Sequence, residues 1–170
     1  MMHMHVSRPA NSPPDLAVCH CTALRKAARQ ATLLYDRYLA PSGLTSGQFA
    51  ILTQLATWPA AASPGVADLA RALVLDRTAL TRALQPVMRD GLVELATNPQ
   101  DQRVRLVHLT AKGRKRLAAA GRLWASAQQR YERALGEGQA VALRALSQVV
   151  AEVDFGDWSA SQPRRRVEGR

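Results

Sequence analysis

The sequence predicts a mainly α fold with a small two-stranded β element. Three observations carry that expectation. Ala and Leu are abundant while aromatic residues make up only 5%, a balance that favours helix over sheet. Apolar residues recur at three- and four-residue spacing along most of the 170 positions. One short stretch, 92–109, reads instead as two strands about a turn.

The elements follow in chain order. Residues 1–14 hold three prolines and no periodic pattern, as in a loose arm. From Asp15, a first helix places Leu24, Ala27, Ala28, Ala31, Leu34, Tyr35 and Tyr38 on one side, and Pro41-Ser42-Gly43 breaks it. Thr45 and Gln48 have the spacing of a capping box. Behind it, Phe49, Leu52 and Leu55 give a second helix one apolar face. Trp58-Pro59 opens a loop of small residues. Ser63 is placed to cap a short third helix, with Pro64 in its first turn and Val66, Leu69, Ala70 and Leu73 facing inward.

Val74-Leu75 is a tight connection, and Asp76 caps a fourth helix. Its inner face is Leu80, Ala83, Leu84 and Val87; its other face is Arg77, Thr78, Thr81, Arg82, Gln85 and Arg89. Pro86 should bend this helix or loosen one backbone bond, and Gly91 ends it. Leu92-Val93-Glu94-Leu95 reads as a strand, Thr97 to Gln102 as a turn, and Arg103 to Leu109 as the returning strand. Thr110 caps a long helix striped by Leu117, Ala120, Trp124, Ala127, Tyr131 and Leu135. Gly136-Glu137-Gly138 interrupts it, and Leu143, Leu146, Val149, Val150 and Val153 lie on a last helix.

Composition narrows the function classes. Apolar residues are 47% and charged residues 21%, a globular balance. No apolar run approaches the ~18 residues of a membrane span, and the N-terminus lacks the apolar segment of a secretory signal. Two cysteines make no disulfide framework, so a reducing cytoplasm is the expected compartment. Paired carboxylates, a Ser/His/Asp set and a phosphate-cradling Gly-rich loop are all missing at convincing spacing, so no enzyme and no cofactor is expected. Cys19 and Cys21 point to opposite sides of a helix, His3 and His5 lie in the arm, and His108 is alone, so no metal site is expected.

The net charge of +10 is uneven. Residues 63–116 hold ten basic and five acidic residues, and the tail RRRVEGR adds three net positive charges. A basic folded segment points to a polyanion, usually nucleic acid. Helix, tight turn, helix and basic hairpin together form a winged helix-turn-helix arrangement. The major groove of B-DNA admits one helix, and Arg77, Thr81 and Gln85, four residues apart, share the face that would enter it. Arg82 and Arg89 flank that face. Arg and Gln can read purine edges, while Thr can contact phosphate or a thymine methyl. Arg103 and Arg105 at the hairpin tip would reach a minor groove or phosphates. On its own, the same helix also fits a solvated polar side.

Leu75-Asp76-Arg77-Thr78-Ala79-Leu80-Thr81-Arg82, then Asp90-Gly91-Leu92-Val93, Asp101-Gln102-Arg103 and Leu109-Thr110-Ala111-Lys112-Gly113 occur in order. In sequence and spacing they resemble the multiple antibiotic resistance regulator (MarR) family, over roughly residues 16–153. The resemblance implies a homodimeric transcription regulator, a repressor, reading a palindromic site on double-stranded DNA. Asp101 would orient Arg103, which would enter the minor groove. Residues 15–62 would supply dimerisation and support, 63–110 the DNA-binding region, 111–155 the C-terminal dimerisation helices and 156–170 a flexible basic tail. Two recognition helices would meet half-sites roughly 34–36 Å apart.

The resemblance also implies a small-molecule effector, often an aromatic acid or phenolic compound, held between the dimer helices and the winged region. Candidates are His20, Arg25, Tyr35, Trp58 and Trp124; an Arg with aromatics suits a planar carboxylate. A thiol switch is an alternative. Cys21 falls where a peroxide-sensing subgroup keeps its reactive cysteine, and Tyr35 on one of that subgroup's two tyrosines, but Ser46 stands at the other. A non-specific chromosome-binding protein would share the charge.

Overall fold

The computed structural model describes residues 15–59 and 63–155, so the expected arm 1–14 and tail 156–170 lie outside the described residues. The helices are α1 (His20–Leu39), α2 (Ser46–Ala56), α3 (Val66–Ala72), α4 (Arg77–Arg89), α5 (Ala111–Leu135) and α6 (Glu137–Glu152). Between α4 and α5 lie β1 (Val93–Thr97) and β2 (Arg105–Leu109), an antiparallel pair in register from Val93↔Leu109 to Thr97↔Arg105. The chain forms two compact units, one up to Gln129 and one from Arg130. No described helix is long and apolar enough to cross a membrane.

The first helix starts later than expected. The Asp15 carboxylate accepts from the Ala17 N–H at 2.9 Å and caps only a single 3-10 turn, Leu16–Val18. Cys19 is then extended and caps α1 itself. The capping box of α2 forms both ways. Thr45 Oγ1 accepts from the Gln48 N–H at 3.2 Å, and the Thr45 N–H donates to Gln48 Oε1 at 2.9 Å.

Ser63 does not cap α3. The N-cap is Gly65, without a side-chain bond. The Val107 N–H donates to the Pro64 carbonyl at 2.9 Å, Gly65 bridges Leu106, and Ser63 Oγ lies 2.8 Å from His108 Nδ1. Pairing with β2 holds 63–65 extended, so the helix starts only at Val66. His108, expected to stand alone, is thus tied to Ser63.

The turn after α3 has two capping bonds, Leu75 N–H to Ala70 O at 2.8 Å and Val74 N–H to Arg71 O at 3.1 Å. They place Val74 in the left-handed region at φ +53°. Asp76 caps α4 by accepting from the Ala79 N–H at 2.7 Å. The helix runs on through Pro86 to Arg89. Pro86 removes one donor, the one that would have reached the Arg82 carbonyl. At its end, the same pair of bonds recurs around Gly91, φ +68°, with Leu92 N–H to Val87 O and Gly91 N–H to Met88 O both at 2.8 Å.

The core of the first unit lies where α2, α3, α4 and the hairpin meet. Leu52, Leu69, Leu80, Leu84, Val87 and Val107 are all at most 2% exposed. The inward faces expected for α3 and α4 are therefore the faces observed. Thr110 caps α5 as expected, accepting from the Gly113 N–H at 2.9 Å. Gly113 is buried against the wing, where an added Cβ would fall 2.1 Å from the Leu92 carbonyl oxygen. In the second unit, Gly136 (φ +90°) separates α5 from α6. Among described residues α6 buries none; Leu146, Val149, Val150 and Val153 are all exposed.

Candidate nucleic-acid interface

The buried stripe of α4 fixes what its opposite side presents. With Leu80, Leu84 and Val87 in the core, Arg77, Thr78, Thr81, Arg82, Gln85 and Arg89 are all exposed. The side chains of Arg77, Thr78, Arg82 and Gln85 make no hydrogen bond among the described residues. Arg89 lies 3.9 Å from the Asp90 carboxylate. Thr81 differs, since its hydroxyl donates to the Arg77 carbonyl at 2.7 Å.

The wing tip is a closed loop. The Asn98 N–H reaches the Val104 carbonyl and the Val104 N–H the Asp101 carbonyl, both at 2.9 Å. β1 extends further than expected, to Thr97, and β2 starts only at Arg105, so Arg103 lies in the loop and not in a strand. Arg103 is gripped by Asp101 at three points: the backbone N–H at 3.0 Å, Nε–H at 3.1 Å and an Nη2–H at 3.4 Å. The Arg103 side chain contact, followed by its backbone N–H, holds the Asp101 carboxyl below its ordinary range. The guanidinium is still 91% exposed, so it is aimed without being used up. Arg105 donates to Thr97 Oγ1 at 3.2 Å across the strand pair.

A cleft of about 360 Å³ in the same unit is lined by Tyr35 on α1, Ser46, Phe49, Ala50, Thr53 and Gln54 on α2, Leu39, Leu73, and Trp124 on α5. The Phe49 and Trp124 rings stack with centroids 6.2 Å apart and planes 14° apart. The Tyr35 hydroxyl donates to Gln128 Oε1. Thr53 Oγ1 is buried with no hydrogen-bond partner among the described residues. Among the described residues, no Lys, Arg or His lines the cleft.

Within one chain, the five expected effector residues do not line a single cavity. Tyr35 and Trp124 share the cleft. Trp58 lines a separate pocket of about 410 Å³ with Ser63, Glu94, His108 and Arg114. His20 and Arg25 are exposed on the first turns of α1 and line neither. Phe49 and Thr53 are among the seven lining residues that the sequence did not point to. Phe49 was visible as part of an apolar face, but its pairing with Trp124 is a contact between distant segments that periodicity does not encode.

Cys21 is exposed at the start of α1. Two residues earlier, the Cys19 Sγ accepts from the Thr22 N–H at 3.5 Å. Hydrogen bonds from Thr22 pull the Cys19 pKa below the ordinary thiol value. No group of three or more potential metal-ligating side chains occurs among the described residues.

The fold has counterparts among known proteins. The sequence pattern of the MarR family matches residues 44–104. The M. tuberculosis transcriptional regulator MosR is 33% identical, with a TM-score of 0.67, over 80% of this chain and 98% of MosR. The chain belongs to the MarR family. The six α-helices and two-stranded sheet of its described residues are the winged-helix architecture of that family. MosR in complex with DNA also matches, at 34% identity and TM-score 0.65, over 79% of this chain and 99% of that one.

Two curated MarR-type relatives match over shorter stretches. The transcriptional activatory protein BadR of Rhodopseudomonas palustris is 38% identical over 78 residues, 46% of this chain and 45% of BadR. The multiple antibiotic resistance protein MarR of Escherichia coli is 38% identical over 80 residues, 47% of this chain and 54% of MarR. The chain thus spans about half the length of the curated relatives it matches.

Proposed function

We propose that this chain is a homodimeric, sequence-specific DNA-binding transcription regulator, a repressor, released from a palindromic operator by a small aromatic ligand. One observation carries the reading. The extended polar face of α4 is exposed and largely uncommitted, and it is followed in the chain by a wing whose exposed arginine is held by Asp101. Arg77, Arg82 and Gln85 supply donors and acceptors for purine edges, with Arg89 beside them. Arg103 and Arg105 supply the minor-groove and phosphate contacts. MosR, a relative over nearly its whole length, is known in complex with DNA.

Dimerisation assigns a use to the apolar residues α6 leaves exposed and to the exposed first half of α1. Pairing two copies through 15–62 and 111–155 sets two 63–110 regions about one helical turn of DNA apart. The effector site is the Tyr35–Trp124 cleft. Its lining favours a phenol over the aromatic acid that an Arg would have suited, because a buried carboxylate without a cation is costly. A second reading, thiol control at the start of α1, is favoured by the lowered Cys19 pKa.

Footprinting of the full chain on duplexes selected from a random pool tests the proposal. Two protected half-sites about ten base pairs apart are expected. Binding without a recoverable shared sequence would point to the chromosome-binding alternative.

A further inference from the structure

We infer that Thr81 reads a thymine methyl group in the major groove, while Thr78, three residues earlier on the same helix, holds a phosphate. The inference rests on the DNA-binding reading above and assigns two of its residues. A threonine hydroxyl has one proton to donate. At Thr81 that proton is spent on the Arg77 carbonyl at 2.7 Å. A phosphate oxygen only accepts, so Thr81 has nothing to give it. The side chain presents a methyl group and oxygen lone pairs to whatever it meets. Its neighbours one turn away, Arg77 and Gln85, are exposed and uncommitted, so the methyl stands between two purine-reading side chains. An apolar contact with the C5 methyl of thymine is the match for such a group.

Thr78 is the internal control. It too is exposed, lies in the first turn of α4, and its hydroxyl makes no hydrogen bond among the described residues. Its proton is therefore available to a phosphate oxygen, which only accepts. One residue then positions the helix and the other specifies sequence.

The test uses the full chain and a duplex recovered by selection, with each thymine replaced singly by deoxyuridine, which removes only the methyl. Wild type and Thr81→Val, which keeps the methyl shape, should each lose roughly fourfold in affinity at one thymine per half-site. Thr81→Ser, which keeps the hydroxyl and drops the methyl, should start weaker by a similar factor and ignore that substitution. Thr78→Val should weaken every duplex equally. The assignment is overturned if Thr81→Val loses binding while Thr81→Ser keeps it, or if no uracil position separates Thr81→Ser from wild type. A wild-type chain that does not prefer its selected duplex over a scrambled one fails the underlying DNA reading, and the assignment with it.

Discussion

Arg103 shows how a single exposed side chain acquires a role. Its ion pair with Asp101 is too exposed to matter much for stability. Three bonds to one carboxylate nevertheless fix its direction. Arg103→Ala should therefore weaken operator binding at least tenfold while leaving the melting curve in place. An unchanged affinity at physiological salt would remove Arg103 from the interface. The pH response follows from the sign of the Asp101 shift. A lowered folded pKa means the pair is intact above the ordinary carboxylate value of 3.8 and is lost only as pH falls through the lower folded value. Operator affinity should consequently show no wing-dependent change between about pH 5 and 8, measured as the ratio of wild type to Asp101→Asn across that range. The Asp-x-Arg spacing was legible in the sequence, but its three-point grip was not, because it depends on the loop closing at Val104.

Elements were legible where local chemistry decides them. The Thr45–Gln48 box, the Asp76 and Thr110 caps and the inner faces of α3 and α4 all follow from short-range spacing. Ser63 failed for a non-local reason: the next two residues, Pro64 and Gly65, pair through their backbone with β2, some forty residues on, and pairing overrides a capping preference. Val74 is an element-scale cost hidden from any propensity scale. A β-branched residue in the left-handed region is strained, and Val74 is 68% exposed, so its side chain repays little in packing. Val74→Gly should stabilise the first unit by about 1 kcal/mol in thermal or urea unfolding, strain relief exceeding the entropy of the added glycine. A lower midpoint would show the strain to be absent. Gly113 is the opposite case. A methyl there would meet the Leu92 carbonyl oxygen at 2.1 Å and Leu109 Cδ1 at 2.7 Å. Gly113→Ala should cost about 1–3 kcal/mol, as overpacking does, and loosen the wing, readable as faster amide exchange in β1 and β2. Neutral behaviour would mean that α5 can slide away from the wing.

For the whole molecule, composition and charge narrowed the class early, since a surplus of basic residues in 63–116 has few partners besides nucleic acid. The cleft proposed for the effector resisted sequence reading, because it gathers side chains from α1, α2 and α5, and His20, Arg25 and Trp58 are not among its lining residues. The central claim is that the outward side of α4 and the arginine-tipped wing act as one surface fitted to duplex DNA. Its most direct test is the ratio of affinities for a selected palindrome and a scrambled duplex of the same length and composition, at fixed salt. A ratio of about a thousand or more is expected for the full chain, falling at least tenfold in Arg82→Ala, whose side chain is exposed in the middle of α4. A ratio near one for the wild-type chain would contradict it.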